Sequence, residues 1–295
     1  MDRALFDEEF LRSLESLAFL SRRVRGGRFY GEHPSFRKGT SPDFADYRSY
    51  QPGDDFRSID WNVWSRLGRP YVKLYREEED LSVHVLLDAS LSMDWGRPRK
   101  IDYARRLAAA LAYIGLSSLD RVGVTAFAGG LGDTLPAHRG RSQMVPLFEY
   151  MSRIRPAGGT AFSACLADYA LRCSVPGLAV VVSDLLDEGG VEKGLAALLY
   201  RRFDVVLIQV LDSEEIEPTG SGPVRLRDAE SGRSLRLTLD PALEAAYRRR
   251  FREWLDGIES FCLSHQVEYL RASTLVPFED VVLRYLRQGT HLRGR

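Results

Sequence analysis

Three stretches of the chain are apolar at almost every position: Leu81–Asp88 (LSVHVLLD), Leu178–Asp184 (LAVVVSD) and Phe203–Leu211 (FDVVLIQVL). A strand that shows one face to water alternates polar and apolar residues, so a strand apolar on both faces needs cover on both. The segments between them supply that cover. Ile101–Leu119 is rich in alanine and leucine, and residues 141–153, 161–173 and 190–202 read as helices. Arg121–Phe127 (RVGVTAF) adds another strand. Strands and helices in alternation predict a doubly wound α/β fold of Rossmann type, a mostly parallel sheet with helices on both sides.

The pattern breaks at Val224–Leu239, where two alternating runs flank Glu230-Ser231-Gly232. This is a hairpin signal, read as an antiparallel insertion at about 222–240 or as a sheet edge. A long amphipathic helix over 241–264, a short strand at Val267–Arg271 and a helix over 278–287 complete the domain. Upstream, residues 4–22 carry a helical stripe of Phe6, Phe10, Leu14 and Leu17 that should stop near Gly26-Gly27. Residues 26–56 read as irregular, and Tyr71–Arg76 alternates like a half-exposed strand. The expected division is an N-terminal helix and irregular segment, 1–78, packed on a main domain, 79–290.

Composition excludes several classes. The 295 residues are 44% hydrophobic, enough for a sizeable core, and the 41 basic and 41 acidic side chains cancel. A chain without net charge is not built as a general nucleic-acid binder. Three cysteines (Cys165, Cys173, Cys262) make no disulfide framework, and Cys165 and Cys173 read as residues of one core face. The acidic start (Asp2, Asp7, Glu8, Glu9) is unlike a signal peptide, and no window approaches the roughly 18 apolar residues of a membrane span. These readings together point to a soluble cytoplasmic protein.

One constellation carries chemistry. The first apolar strand ends in Asp88-Ala89-Ser90-Leu91-Ser92, Gly158-Gly159-Thr160 precedes a helix, and Ser183-Asp184 closes another strand. Loops after the carboxyl ends of strands form the ligand crevice of a doubly wound sheet, so Asp88, Ser90, Ser92, Thr160 and Asp184 are placed to converge. All five donors are hard oxygens, three neutral and two anionic. Magnesium is the expected ion, at about 2.0–2.1 Å in octahedral geometry, with manganese or calcium as alternatives. Two carboxylates leave such an ion open to an anionic oxygen from a partner protein. The alternative for Ser90 and Ser92 is simple capping of the next helix.

These residues match the metal-ion-dependent adhesion site of von Willebrand factor type A domains, and the element order from about residue 79 is similar too. Upstream, Arg48-x-Tyr50-x-Pro52-Gly53-Asp54-Asp55-x-Arg57-x-Ile59-Asp60-Trp61 resembles the signature of the bacterial domain-of-unknown-function-58 family, which joins it to a type A-like domain. One departure is Val63-Trp64-Ser65-Arg66, where the family more often has a Ser-Ala-Arg run. The resemblance implies an adaptor or chaperone-like partner of a MoxR-type AAA+ ATPase. The chain itself has no GxxxxGK[ST] segment, so ATP hydrolysis would come from elsewhere.

Read physically, Pro52-Gly53-Asp54-Asp55 is a turn, Arg57, Asp60 and Arg66 suit an ion network with it, and Trp61 and Trp64 suit an anchor on the main domain. Glu77-Glu78-Glu79-Asp80 reads as a solvated turn and Arg248-Arg249-Arg250 as a solvated helix face. Two other functions compete with a binding module. A haloacid-dehalogenase-like phosphatase also puts an aspartate after its first strand, but needs an acid where Ser90 stands. A structural component with a vestigial metal site is the other.

Overall fold

The computed structural model describes residues 5–26, 44–75, 81–218, 220 and 222–288. The chain divides into two compact units, Met1–Tyr30 with Leu81–Arg295, and Gly31–Asp80. In chain order the elements are α1 (Glu8–Gly26), β1 (Phe44–Ser49), α2 (Trp61–Leu67), β2 (Tyr71–Tyr75), β3 (Ser82–Asp88), α3 (Lys100–Ser117), β4 (Arg121–Phe127) and β5 (Leu131–Arg139). They continue with α4 (Met144–Arg153), α5 (Phe162–Arg172), β6 (Leu178–Ser183), α6 (Glu192–Tyr200), β7 (Asp204–Leu211), α7 (Ser213–Ile216), β8 (Gly222–Arg227) and β9 (Ser234–Leu239). The last are α8 (Pro241–Ser264), β10 (Glu268–Ser273) and α9 (Phe278–Gln288). Among the described residues, no helix is long and apolar enough to cross a membrane.

The larger unit is built on a six-stranded sheet of order β10-β7-β6-β3-β4-β5. All pairings are parallel except β4 with β5. Every residue of β3 and β6 is buried, which is why neither strand alternates in polarity. The sheet separates two cores. Val83, Val85 and Leu87 of β3 face one, with residues of α1, α3, α4 and α9. Leu86 faces the other, with Phe162 and Cys165 of α5, Leu195 of α6 and Ile258 and Cys262 of α8. The α/β expectation with a mostly parallel sheet therefore holds.

The stripe of α1 is buried as its spacing predicts, whereas β5 differs from the sequence reading. Helix α1 belongs with the sheet: Phe6, Phe10, Leu14 and Leu17 are buried in the first core, and Phe10 packs on Phe148 and Phe278. The helix starts at a cap, Phe10 N donating to Asp7 Oδ1 at 2.8 Å. Strand β5 had no sequence signal, because it is an edge strand whose residues are exposed or half-exposed. It bulges where Gly123 faces both Pro136 and Ala137, between the pairs Val122–His138 and Val124–Leu135. The insertion is a separate two-stranded sheet of β8 and β9, not an edge of the main one.

In the smaller unit, β1 pairs antiparallel with β2, so part of the segment expected to be irregular is a strand. Asp60 caps α2, accepting from Asn62 N at 2.9 Å, and pairs with Lys73 at 3.0 Å and the Tyr47 hydroxyl at 2.9 Å. Arg48 pairs with Asp54 at 2.8 Å. The cations of the network are thus Arg48 and Lys73; among the described residues, the expected Arg57 and Arg66 have no ion pair. The turn is present, with Asp54 N donating to Gln51 O at 3.0 Å. Trp61 and Trp64 meet edge to face, each about half exposed. Glu77-Glu78-Glu79-Asp80 and Gly27 lie outside the described residues. Arg248–Arg250 are exposed on α8.

Candidate metal centre

Strand β3 lies at the centre of the sheet, where the strand order reverses between β3 and β6. The carboxyl ends of both strands meet at that switch point, and the five donors were placed there from sequence. Backbone hydrogen bonds lace their loops together. Ala89 N donates to Phe127 O at 2.7 Å, Ala157 N to Ala89 O at 2.8 Å, and Leu91 N to Gly158 O at 3.0 Å. The Asp88-Ser90-Ser92 loop is therefore tied to the end of β4 on one side and to the Gly158-Gly159-Thr160 loop on the other. Gly158 has a φ of +70°, a left-handed conformation suited to glycine.

Asp88 and Asp184 are both fully buried. Asp88 Oδ1 accepts from Ser90 N at 2.9 Å and Oδ2 from the Ser183 hydroxyl at 2.5 Å, bridging β3 and β6. Burial raises its pKa to about 7, and the neighbouring charge of Asp184 adds to the rise. Among the described residues, Asp88 has no ion pair. Asp184 does: Lys100 Nζ lies 2.7 Å from its Oδ2 and also bonds Glu215 Oε1, with both Lys100 and Asp184 fully buried. The other oxygen of Asp184 accepts from Leu186 N at 3.0 Å. Between them, buried Leu185 takes a φ of +64°, a costly conformation for a bulky residue that the turn after Asp184 imposes.

The hydroxyls lie nearer the solvent. Ser90 is buried, whereas Ser92 and Thr160 are half-buried, so the site opens on their side. Ser90 stands at the N-cap of the short turn Leu91–Asp94, but its side chain makes no cap bond. Its Oγ instead lies 2.9 Å from Ser92 Oγ. The capping alternative therefore does not describe what the Ser90 hydroxyl does. Thr160 is engaged from outside: its Oγ1 donates to Glu230 Oε1 at 2.6 Å and its N to Glu230 Oε2 at 2.9 Å. Beside the site is an open cavity of about 330 Å³ lined in part by Ala89, Phe127, Tyr150 and Ala157.

This donor set suits magnesium. Two adjacent ligands of an octahedral ion at about 2.0–2.1 Å lie about 2.8–3.0 Å apart, which matches the Ser90–Ser92 separation. Asp88, Asp184 and Glu215 outnumber the one ammonium of Lys100, and a cation beside Asp88 would hold it ionised. Among the described residues no three His, Cys, Asp or Glu side chains form a metal cage, so such an ion would depend on the hydroxyls.

Four residues of this neighbourhood were not foreseen: Ser183, Lys100, Glu215 and Glu230. Ser183 had a signal, since it precedes Asp184 at a strand end. Lys100 is one of only four lysines and opens a helix rich in alanine and leucine. Glu230 was visible only as a turn residue, 70 positions from Thr160.

The family described as "Protein of unknown function DUF58" matches residues 46–254. Uncharacterized proteins of Mycobacterium bovis and Mycobacterium tuberculosis are 30% identical over 248 residues, covering 82% of this chain and 78% of theirs. Among solved structures, the conserved hypothetical protein BatB from Bacteroides thetaiotaomicron is 18% identical with a TM-score of 0.46, over 70% of this chain and 98% of its own. An aerotolerance-related membrane protein from Bacteroides fragilis is 18% identical with a TM-score of 0.44, over 70% of this chain and 99% of its own. The family match spans more than half of the chain, and this chain is a member of the DUF58 family.

Proposed function

We propose that the chain is a metal-dependent protein-binding module with a von Willebrand factor A-like site, and that Asp88, Ser90, Ser92, Thr160 and Asp184 hold a magnesium ion. The observation that carries this reading is the 2.9 Å Ser90–Ser92 hydroxyl pair above a buried Asp88 that has no ion pair among the described residues. Ser90, Ser92 and Thr160 serve as direct hydroxyl ligands. Asp88 and Asp184 already accept protein hydrogen bonds at both oxygens. They therefore act mainly by orienting hydroxyls and bound waters. The bound ion supplies an exposed positive charge with a free position, and a partner's Asp or Glu fills it. The partner we infer is a MoxR-type AAA+ ATPase, which would also provide the ATP hydrolysis for which this chain has no phosphate-binding loop.

Calorimetric titration with magnesium and manganese tests the site. Saturable binding is expected for the native chain, and none for Asp88→Ala. Equal binding by both proteins would refute the assignment. A pull-down of the ATPase should then succeed with magnesium and fail with chelator. The phosphatase alternative predicts turnover of a generic phosphate ester with magnesium, which the absence of an acid at Ser90 argues against.

A further inference from the structure

The hairpin β8–β9 brings a carboxylate to Thr160, one of the two half-buried donors on the open side of the site. Its tip is a built turn: Asp228 Oδ1 accepts from Glu230 N at 3.1 Å and also from Ser231 N, and Gly232 N donates to Asp228 O at 3.1 Å. Gly232 takes a φ of +69°, which the tight tip requires. The turn presents Glu230, and both of its carboxylate oxygens are held by Thr160. Glu230 also crowds Gly159: a Cβ added there would lie 3.1 Å from Glu230 Oε2.

Val224, Leu237 and Leu239, towards the base of the hairpin, are half-buried, and packing weakens towards the tip. Leu226 and Leu235 are each more than half exposed. Arg225, Arg227, Arg233 and Arg236 are exposed and make no ion pair among the described residues. An isolated two-stranded hairpin is marginal in water. A basic hairpin, packed at its base and exposed towards its tip, whose acidic turn reaches a site for a divalent cation has the form of a tethered ligand. The Thr160 hydroxyl has lone pairs to offer an ion while its O–H points at Glu230, so the contact and metal binding are compatible.

We infer that Glu230 is an internal carboxylate ligand, filling the position that a partner's acidic side chain would take, so that β8–β9 must lift before a partner binds. This rests on the metal-site reading above. It adds that the resting site is self-occupied and that the competing partner group is an Asp or Glu side chain.

Manganese alone is the probe. Binding and metal-bound water are measured together, by titration and by water-proton relaxation, for the native chain, Glu230→Gln and Asp88→Ala. Glu230→Gln keeps the size of a half-buried side chain at a hairpin tip, so the fold should be unaffected. It should weaken manganese binding by about tenfold, the low end of what loss of a supporting carboxylate costs a metal site. It should also add one exchanging water to the bound ion. Hydrogen exchange at the Thr160 amide and along β8–β9 should speed up in the same variant. If Glu230→Gln matches the native chain in affinity, hydration and exchange while Asp88→Ala binds nothing, the internal ligand is refuted and the metal site stands. If the native chain binds no manganese, the metal site is refuted and the internal ligand with it.

Discussion

Lys100 is the residue on which the candidate site leans most heavily. Its ammonium is fully buried between Asp184 and the half-buried Glu215, and these neighbouring charges outweigh the desolvation that would favour its neutral form. Removing one partner of a buried pair leaves an uncompensated charge, which costs about 3–5 kcal/mol. Lys100→Met should therefore lower the urea midpoint of unfolding, with a loss of about 3–5 kcal/mol in the extrapolated unfolding free energy. Asp88 is the opposite case, since it is buried without an ion pair among the described residues. Without metal, Asp88→Asn should leave the same midpoint unchanged or higher at neutral pH, because the neutral amide no longer carries a buried charge.

At the scale of elements, helix α1 is held by side chains rather than by its own propensity. Leu14 is fully buried among Phe10, Phe148 and Phe278 and their neighbours. Leu14→Ala should cost about 2–5 kcal/mol, read from denaturant unfolding, as for other large-to-small core changes. The elements legible in the sequence were those whose burial leaves a pattern. Strands β3, β6 and β7 are apolar on both faces because helices cover both, and α8 was bounded by Asp240 and Pro241 at its start. Strand β5 was illegible because an exposed edge imposes no pattern on side chains. The five candidate donors were legible because each lies in a loop at a predicted strand end or before a predicted helix. Their partners were not, because the Lys100–Glu215 and Thr160–Glu230 contacts span 115 and 70 positions, and only the folded chain brings them together.

At the scale of the whole molecule, the two units respond to different conditions. Magnesium should protect the larger unit, with about 2.7 kcal/mol gained at 100 times the dissociation constant. In the smaller unit, hydrogen bonds first from Lys73 and then from Tyr47 lower the pKa of Asp60 to about 2. A depressed carboxyl stabilises the fold above its unfolded value, near 4, and that contribution fades as pH falls towards 2. Melting followed by circular dichroism from pH 7 to 2 should show this loss in the native chain, and Asp60→Asn should flatten it. Strand β5 has a consequence for the molecule in a crowded solution. Sheets recruit other chains along unpaired margins. At its bulge β5 offers Pro136, which has no amide hydrogen, and exposed Asp133 and Arg139 stand to either side. A foreign strand laid along this margin would find its ladder interrupted, so the sheet is guarded there against growth into aggregates.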